Sequence, residues 1–293
     1  RLAAAANGEQ VRIGPLHLTG EVIGRQGDEA LIQVYEGTDG LRPGEKVTAL
    51  GRSLTVELGP GLLGSIFDGV QRPLRRLVEQ AGGHIPRGVD VAALDRGRKW
   101  TFRPAPIAAG ARVEGGAVLG TVSETETINH KILVPPEVSG TLQELAPAGD
   151  YAVDQTVARL RLDGGETREL QLFHRWPVRR PRPYRRRDHA VAPLITGQRV
   201  LDTFFPLLKG GKAAVPGPFG AGKTIVQQQI ARWSNADIVI YVGCGERGNE
   251  MVDILDSFPK LTDPRSGRSL MERTFLVANT SNMPVVAREA SIY

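Results

Sequence analysis

The sequence predicts two β-rich regions followed by an α/β domain with a parallel sheet. In the first half, short runs of alternating apolar and polar residues are separated by turn residues such as Gly27-Asp28 and Asp39-Gly40, which is typical of a small barrel or sandwich. From Pro193 onward, short apolar runs alternate with helical segments. This rhythm is typical of strand-helix-strand units, whose helices cover a parallel sheet. The fold class is therefore α/β plus β.

The first region, residues 1–65, is predicted to be a small β-barrel. Its strands are expected at 18–22, 30–35 and 46–50, and Pro60-Gly61 ends it. The connector, 66–89, is expected to begin with a helix over 66–80 that Pro73 interrupts.

The middle region, residues 90–180, is predicted to be a compact β module. Turn glycines surround a short apolar strand within 110–120, and another strand is expected over 141–145. His130 and His174 stand alone in the sequence and are interpreted as ordinary polar positions.

In the last region, residues 181–293, the spacing of the apolar residues changes, and short strands alternate with helices. Strands are expected at 212–215, 238–242 and 274–278, and helices at 223–233 and 250–258. Asn282 and Pro284 mark one more helix start, because they are a capping residue and a residue suited to the first turn.

Composition limits the class of protein. Of the 293 residues, 41% are hydrophobic and 24% are charged, which is ordinary for a globular chain of about two domains. The single cysteine, Cys244, excludes an internal disulfide and fits a reducing compartment. No apolar run approaches the roughly 18 residues of a membrane-spanning helix. We therefore expect a soluble, cytoplasmic chain.

An arginine cluster carries much of the net charge of +5. Clustered arginines can bind nucleic acid, but prolines at 177, 181 and 183 favour an extended connector. Aromatic residues make up only 5%, which leaves few rings to stack on bases. We expect an ordered or subunit-facing linker and no direct nucleic-acid contact. The cluster consists of Arg175, Arg179, Arg180, Arg182, Arg185, Arg186 and Arg187.

A phosphate-binding P-loop is the strongest chemical signal. The segment 217–224 fits G-x-x-x-x-G-K-[ST] in full, between an expected strand and an expected helix. Its glycines let backbone N–H groups surround phosphate oxygens, Lys223 reaches the β- and γ-phosphates, and the Thr224 hydroxyl can bind Mg²⁺. The predicted nucleotide-binding residues are Gly217, Pro218, Phe219, Gly220, Ala221, Gly222, Lys223 and Thr224.

A second candidate is the segment 243–248, which directly follows the expected strand at 238–242. Ligands of open α/β sheets bind at the carboxyl ends of the strands, so this turn is expected near the P-loop. The Glu246 carboxylate could activate a water molecule, and the Arg247 guanidinium could offset charge on a transferred phosphoryl group. From the pattern alone, a solvated turn with capping duties is about equally well supported.

These motifs resemble the catalytic A subunit, also called the alpha subunit, of the V-type and archaeal-type (V/A) rotary ATPases. The similarity covers nearly the whole chain, from about residue 21 onward. In the last region it is carried by the P-loop, by SNADIVIYVGCGERGNEM from Ser234 and by ANTSNMPVVAREASIY from Ala278. Upstream, ELGPGLLGSIFDGVQRPL from Glu57 and WPVRRPRP from Trp176 resemble the same protein.

The resemblance implies a role for each region. Residues 1–65 would be the N-terminal barrel without its first strand, 90–180 the bulge insertion that faces the peripheral stalks, and 181–293 the first half of a RecA-like domain. Glu246 matches the catalytic glutamate, Arg247 a phosphate-sensing arginine, and Lys223 acts with them in catalysis. The cofactors would be ATP or ADP with Mg²⁺.

The resemblance also implies partners and a location. The partners would be non-catalytic B subunits in an alternating hexamer, central and peripheral stalk subunits, and a membrane sector that moves H⁺ or Na⁺. The chain would lie on the inner face of the membrane. The family's Walker B acid, adenine pocket and C-terminal domain lie outside these residues, and its arginine finger comes from the neighbouring non-catalytic chain. We therefore expect the chain alone to be inactive.

Other classes of function remain as alternatives. One is a RecA-like hexameric export or helicase ATPase, against which the module at 90–180 argues. Another is a regulatory, non-hydrolysing nucleotide-binding subunit, which would not need the carboxylate of Glu246. A nucleic-acid-binding module built on the arginine cluster ranks last.

Overall fold

The first region forms an antiparallel β structure. The computed structural model describes residues 5–82, 86–189, 191–218 and 220–291. Four strands pair in the order β3-β2-β1-β4, and apolar side chains such as Val11, Leu18 and Val22 form their core. The strands are β1 (Glu9–Ile13), β2 (Leu18–Gln26), β3 (Glu29–Val34) and β4 (Val47–Ser53). The three strands predicted from the sequence are confirmed, and β1 was not predicted.

The connector differs from the helix predicted over 66–80. Its first residues form strand β6 (Ile66–Phe67), and helix α1 (Leu74–Ala81) begins only after Pro73. The Asp68 carboxylate accepts hydrogen bonds from the backbone N–H of Val70 and of Arg72, at 3.1 and 2.8 Å. These bonds hold a turn that ends the strand, so the helix prediction is wrong for 66–73.

The middle region consists of two four-stranded sheets, in the orders β10-β9-β7-β12 and β14-β13-β11-β8. Two apolar clusters lie in this region, one that includes Phe102 and one that includes Leu142, and each takes its strand side chains mainly from one sheet. The strands are β7 (Lys99–Pro104), β8 (Arg112–Val113), β9 (Val118–Ser123), β10 (Asn129–Leu133), β11 (Gly140–Leu145), β12 (Gly149–Ala152), β13 (Thr156–Leu162) and β14 (Thr167–Gln171). The predicted β module is confirmed.

A two-stranded ribbon joins the end of the middle region to the first region. Strand β5 (Thr55–Leu58) pairs antiparallel with β15 (His174–Pro177), so Trp176 lies opposite Val56. The connector and the middle region therefore both lie, in the sequence, between two strands that are paired in the structure.

Both histidines of the middle region have partners, which corrects the view that they stand alone. His130 Nδ1 lies 2.7 Å from Glu124 Oε2. Arg182 Nη1 lies 2.8 Å from His174 Nε2. Burial, and then the positive charge of Arg182, lowers the pKa of His174 to about 4, so the ring accepts this hydrogen bond as a neutral imidazole.

The arginine cluster forms bonds within the protein. Arg179 donates to both oxygens of the buried Glu21 carboxylate, at 2.7 and 3.1 Å, and Tyr35 Oη donates to the same carboxylate at 2.6 Å. Arg175 pairs with Glu57 at 3.1 Å. The described part of 178–192 contains neither helix nor strand, as its prolines predict.

The last region contains a parallel sheet in the order β18-β19-β6, so the connector supplies one of its edge strands. An antiparallel pair, β16 with β17, precedes the P-loop. The strands are β16 (Pro193–Leu194), β17 (Leu207–Leu208), β18 (Val239–Glu246) and β19 (Thr274–Thr280). The helices are α2 (Arg199–Phe204), α3 (Lys223–Trp233), α4 (Gly248–Ser257) and α5 (Val285–Ala290).

The prediction of a strand at 212–215 is wrong. Residues 211–218 contain no strand, and most of them are exposed. Gly210 and Gly211 precede the run, and Pro216 and Pro218, which lack a backbone N–H, follow it. Among the described residues, β18 pairs only with β19, so these four residues form no ladder with the sheet.

The Glu21–Arg179 pair leads to a stability prediction. We expect Arg179→Ala to lower the free energy of unfolding by about 2 kcal/mol, because it leaves a buried carboxylate with one fewer charged donor. Urea unfolding followed by circular dichroism measures the change.

The matched control is Arg185→Ala. Arg185 lies in the same segment, is exposed, and forms no ion pair within the described ranges. Its replacement is expected to change the free energy of unfolding by less than about 0.5 kcal/mol. Equal losses in the two variants would contradict the role of the buried pair.

Candidate functional site

The P-loop leads directly into helix α3. Gly222 is the residue before the helix, with a left-handed φ of 82°, and Gly220 has a φ of 77°. Side-chain-bearing residues rarely adopt these angles, so the turn requires glycine at these two positions. The helix then begins at Lys223, and its N-terminal N–H groups face the loop.

The Lys223 side chain folds back onto this loop. Its Nζ donates to the carbonyl oxygens of Gly217 and Pro218, at 2.7 Å each. The Ala221 N–H also donates to the Pro218 carbonyl, at 3.3 Å. Phe219 lies outside the described residues. The ammonium group is therefore held at the loop by neutral acceptors that a phosphate oxygen can replace.

Strand β18 places Glu246 at the carboxyl end of the parallel sheet. The strand pairs with β19 from Val239 to Glu246, and the Ser281 N–H donates to the Glu246 carbonyl at 2.7 Å. Gly243, three residues before the end of the strand, allows helix α4 to approach: a Cβ there would lie 2.1 Å from the Met251 Cε. The Met251 side chain of α4 therefore packs directly against this glycine.

The P-loop and the end of β18 border one cavity of about 550 Å³. The prediction that the turn at 243–248 lies near the P-loop is confirmed in this sense. The P-loop side of the wall includes Gly220, Ala221, Gly222, Lys223 and Thr224. Acidic side chains on the other side are Glu246, Glu250 and Asp253.

Arg247 lies beside this cavity and is not part of its wall. It is the residue before helix α4, has extended backbone angles, and its side chain is exposed. Of the two candidates at this turn, Glu246 lines the cavity that the P-loop borders, and Arg247 does not.

Glu246 has an altered acidity. Its pKa is raised, first by burial and then by hydrogen bonding and charge repulsion with Glu250, while the positive charge of Lys223 opposes the shift. The charge of the nearby P-loop lysine therefore favours the deprotonated form of this carboxyl group and partly offsets the rise in its pKa.

Sequence reasoning missed Glu250 and Asp253. They lie three residues apart in a helix that starts at Gly248, and this spacing puts them on one face. The signal was present in the sequence, but only the observed packing of α4 against β18 turns that face toward the P-loop.

The residues fit a metal that is shared with phosphate. No group of three or more His, Cys, Asp or Glu side chains able to hold a metal ion by itself occurs in the described ranges. Mg²⁺ is usually held by one or two protein oxygens together with phosphate oxygens and water. The Thr224 hydroxyl on the cavity wall is a suitable oxygen for this mode.

A parallel sheet, a P-loop that leads into a helix and a carboxylate at the end of a strand define a P-loop nucleotide-binding protein. Comparison with protein families agrees. Residues 5–51 match the beta-barrel domain, residues 91–179 the barrel-sandwich domain, and residues 197–293 the nucleotide-binding domain of the ATP synthase alpha/beta family.

The chain belongs to the ATP synthase alpha/beta family, and its relatives are A subunits and alpha chains of the A-type and V-type enzymes. It is 69% identical to the V-type ATP synthase alpha chain of Nitrosococcus oceani over 100% of this chain and 50% of that one. It is 58% identical to the A subunit of the A-type ATP synthase of Methanopyrus kandleri over 97% of this chain and 48% of that one.

The chain spans about half the length of these relatives. Among solved structures, the assembled ATPase EscN of the type III secretion system of enteropathogenic E. coli matches with a TM-score of 0.56 and 18% identity, over 99% of this chain and 47% of that one. This likeness shows the fold alone. None of the helices in the described ranges is long and apolar enough to cross a membrane.

The acidity of Glu246 can be tested directly. We expect Glu250→Gln to lower the pKa of Glu246 toward its ordinary value, because the change removes the negative charge next to it. The side-chain carboxyl ¹³C shift, followed by NMR from pH 3 to pH 9, measures this pKa.

Glu289→Gln is the control, because Glu289 lies outside the cavity wall and should leave the titration of Glu246 unchanged. A Glu246 pKa that stays the same in Glu250→Gln would contradict the coupling between the two carboxyl groups.

Proposed function

We propose that this chain belongs to a catalytic subunit that hydrolyses or makes ATP in a V/A-type rotary enzyme, and that its last region binds the nucleotide. The observation that carries the proposal is the cavity that the P-loop shares with Glu246. Family membership supports it, since the relatives are ATP synthase A subunits and alpha chains.

Lys223 and the loop would hold the triphosphate. The ammonium group would leave the carbonyls of Gly217 and Pro218 and bind β- and γ-phosphate oxygens. The N–H groups at the start of α3 would bind the same anion, helped by the helix dipole. Mg²⁺ would be held by the Thr224 hydroxyl and would neutralise charge on the phosphates.

Glu246 would act on the attacking water. In its deprotonated form the carboxylate would take a proton as the water oxygen bonds to the γ-phosphorus and the bond to the bridging oxygen of ADP breaks. A raised pKa makes the carboxylate a better proton acceptor near neutral pH. Arg247, the residue between Glu246 and helix α4, would approach the transferred group once nucleotide is bound.

The wider assignments rest on the family. We propose coupling to H⁺ or Na⁺ transport, assembly with B subunits in an alternating hexamer, contacts with central and peripheral stalk subunits, and a place beside a membrane sector on the inner face of the membrane. We also propose domain bounds of 1–65, 90–180 and 181–293 around the connector at 66–89. The buried ion pair of Arg179 supports the interpretation of its segment as an ordered linker.

Nucleotide binding by the 293-residue chain is the first test. We expect Lys223→Ala to weaken ATP binding at least about tenfold, because one or more charge-assisted hydrogen bonds are lost. Isothermal titration with MgATP measures the affinity, and a phosphate-release assay is expected to show negligible turnover by the chain alone.

Lys260→Ala is the matched control. Lys260 is exposed, pairs with Asp256 and lies outside the cavity wall, so its loss should leave the affinity unchanged. Equal affinities of native protein and Lys223→Ala would refute P-loop binding, and robust hydrolysis by the chain alone would refute the need for partner subunits.

A further inference from the structure

A second polar cavity, of about 420 Å³, lies far from the P-loop in the sequence. Its wall comes from the first region, the connector, the start of the middle region and strand β15, and none of its residues belongs to 181–293. Five arginines and two carboxylates line it: Arg12, Arg52, Arg72, Arg96 and Arg175, with Glu57 and Asp90.

Two of these arginines are neutralised by carboxylates of their own. Arg12 pairs with Asp90. Arg72 lies 2.6 Å from Asp68 and 3.4 Å from Glu36, neither of which lines the cavity. These two guanidinium groups are largely buried, so they form a fixed part of the wall.

The remaining three arginines face a shortage of acceptors. Glu57 Oε1 accepts from Arg96 at 2.6 Å and from Arg175 at 3.1 Å, so one carboxylate oxygen serves two guanidinium groups. Arg96 also donates to the Leu94 carbonyl at 3.2 Å, and it reaches a second carboxylate only at 4.0 Å. Arg52 is exposed and has no hydrogen bond or ion pair with any described residue.

Glu57 is also held by hydrogen bonds to other parts of the chain. Its other oxygen accepts from the Leu94 N–H at 3.3 Å. The Gln71 side chain accepts from the Glu57 N–H and donates to the Glu57 carbonyl, at 2.7 Å each. The excess of guanidinium donors is therefore built into the fold.

We propose that this cavity, here named the arginine cavity, binds a small multivalent oxyanion of the diphosphate class. Guanidinium groups bind phosphate oxygens in pairs of parallel hydrogen bonds, and Arg52 and Arg175 have free donors to supply them. The bound anion would add acceptors for Arg96 and Arg175, which now share Glu57, and for Arg52, which has no acceptor among the described residues. It would also connect three segments that are distant in the sequence, and so stabilise the junction of the first region, the start of the middle region and strand β15.

The site is separate from the P-loop, so its test is carried out in a Lys223→Ala background. Isothermal titration of that chain with pyrophosphate is expected to show one remaining site. Arg52→Gln and Arg175→Gln are each expected to weaken it about tenfold, the effect of one lost charge-assisted hydrogen bond. Both side chains are largely exposed, so the variants should fold, and circular dichroism checks this.

Arg168→Gln is the matched control, since Arg168 is an exposed arginine of β14 outside the arginine cavity and should leave binding unchanged. A second readout is thermal unfolding, in which pyrophosphate should raise the melting temperature of Lys223→Ala but not of Lys223→Ala with Arg52→Gln and Arg175→Gln. The proposal is overturned if Lys223→Ala alone abolishes pyrophosphate binding, or if all three arginine variants bind equally. Neither result would affect the ATP-binding proposal.

Discussion

The parallel pairing of β18 with β19 is the contact on which the candidate site depends. It fixes the carboxyl end of β18, where Glu246 leaves the sheet, and it turns α4 toward the P-loop. Because the backbone of a parallel ladder satisfies its own hydrogen bonds, the turn beyond it is free to present side chains to a ligand. The position of the carboxylate at this edge is thus a property of the sheet.

The same sheet also connects the first half of the chain to the site. Strand β19 pairs on its other edge with β6, a two-residue strand from the connector. The Glu124 carboxylate of the middle region accepts hydrogen bonds from the N–H groups of Gly61 and Leu63, just before that strand. A change in the orientation of the middle region would therefore move the segment that leads into β6, at an edge of the parallel sheet.

The parts of the structure that depend on local signals could be predicted from the sequence. The P-loop, the helix at 223–233 and the nearness of Glu246 follow from a motif, a period and the rule that ligands bind at strand ends. Parts that depend on distant partners could not be predicted. The pairing of β6 with β19 joins residues about 210 apart, and nothing in the run Ile66-Phe67 specifies it.

Side-chain partners follow the same division. The arginine cluster was identified from composition, but its use as donors to Glu21 and Glu57 needed the fold. The strand expected at 212–215 was predicted from local sequence alone, and it does not form because no described strand pairs with this run. Local propensity is a weak guide where the ladder partner decides the outcome.

The most direct test of the account is the effect of Glu246→Gln on catalysis. The chain, extended to the length of its relatives and assembled with partner subunits, would be compared with the variant for ATP binding and for steady-state hydrolysis. The account predicts that nucleotide still binds while turnover falls by orders of magnitude, because the amide cannot accept the proton of the attacking water. Unchanged turnover would contradict it and place the base at another residue.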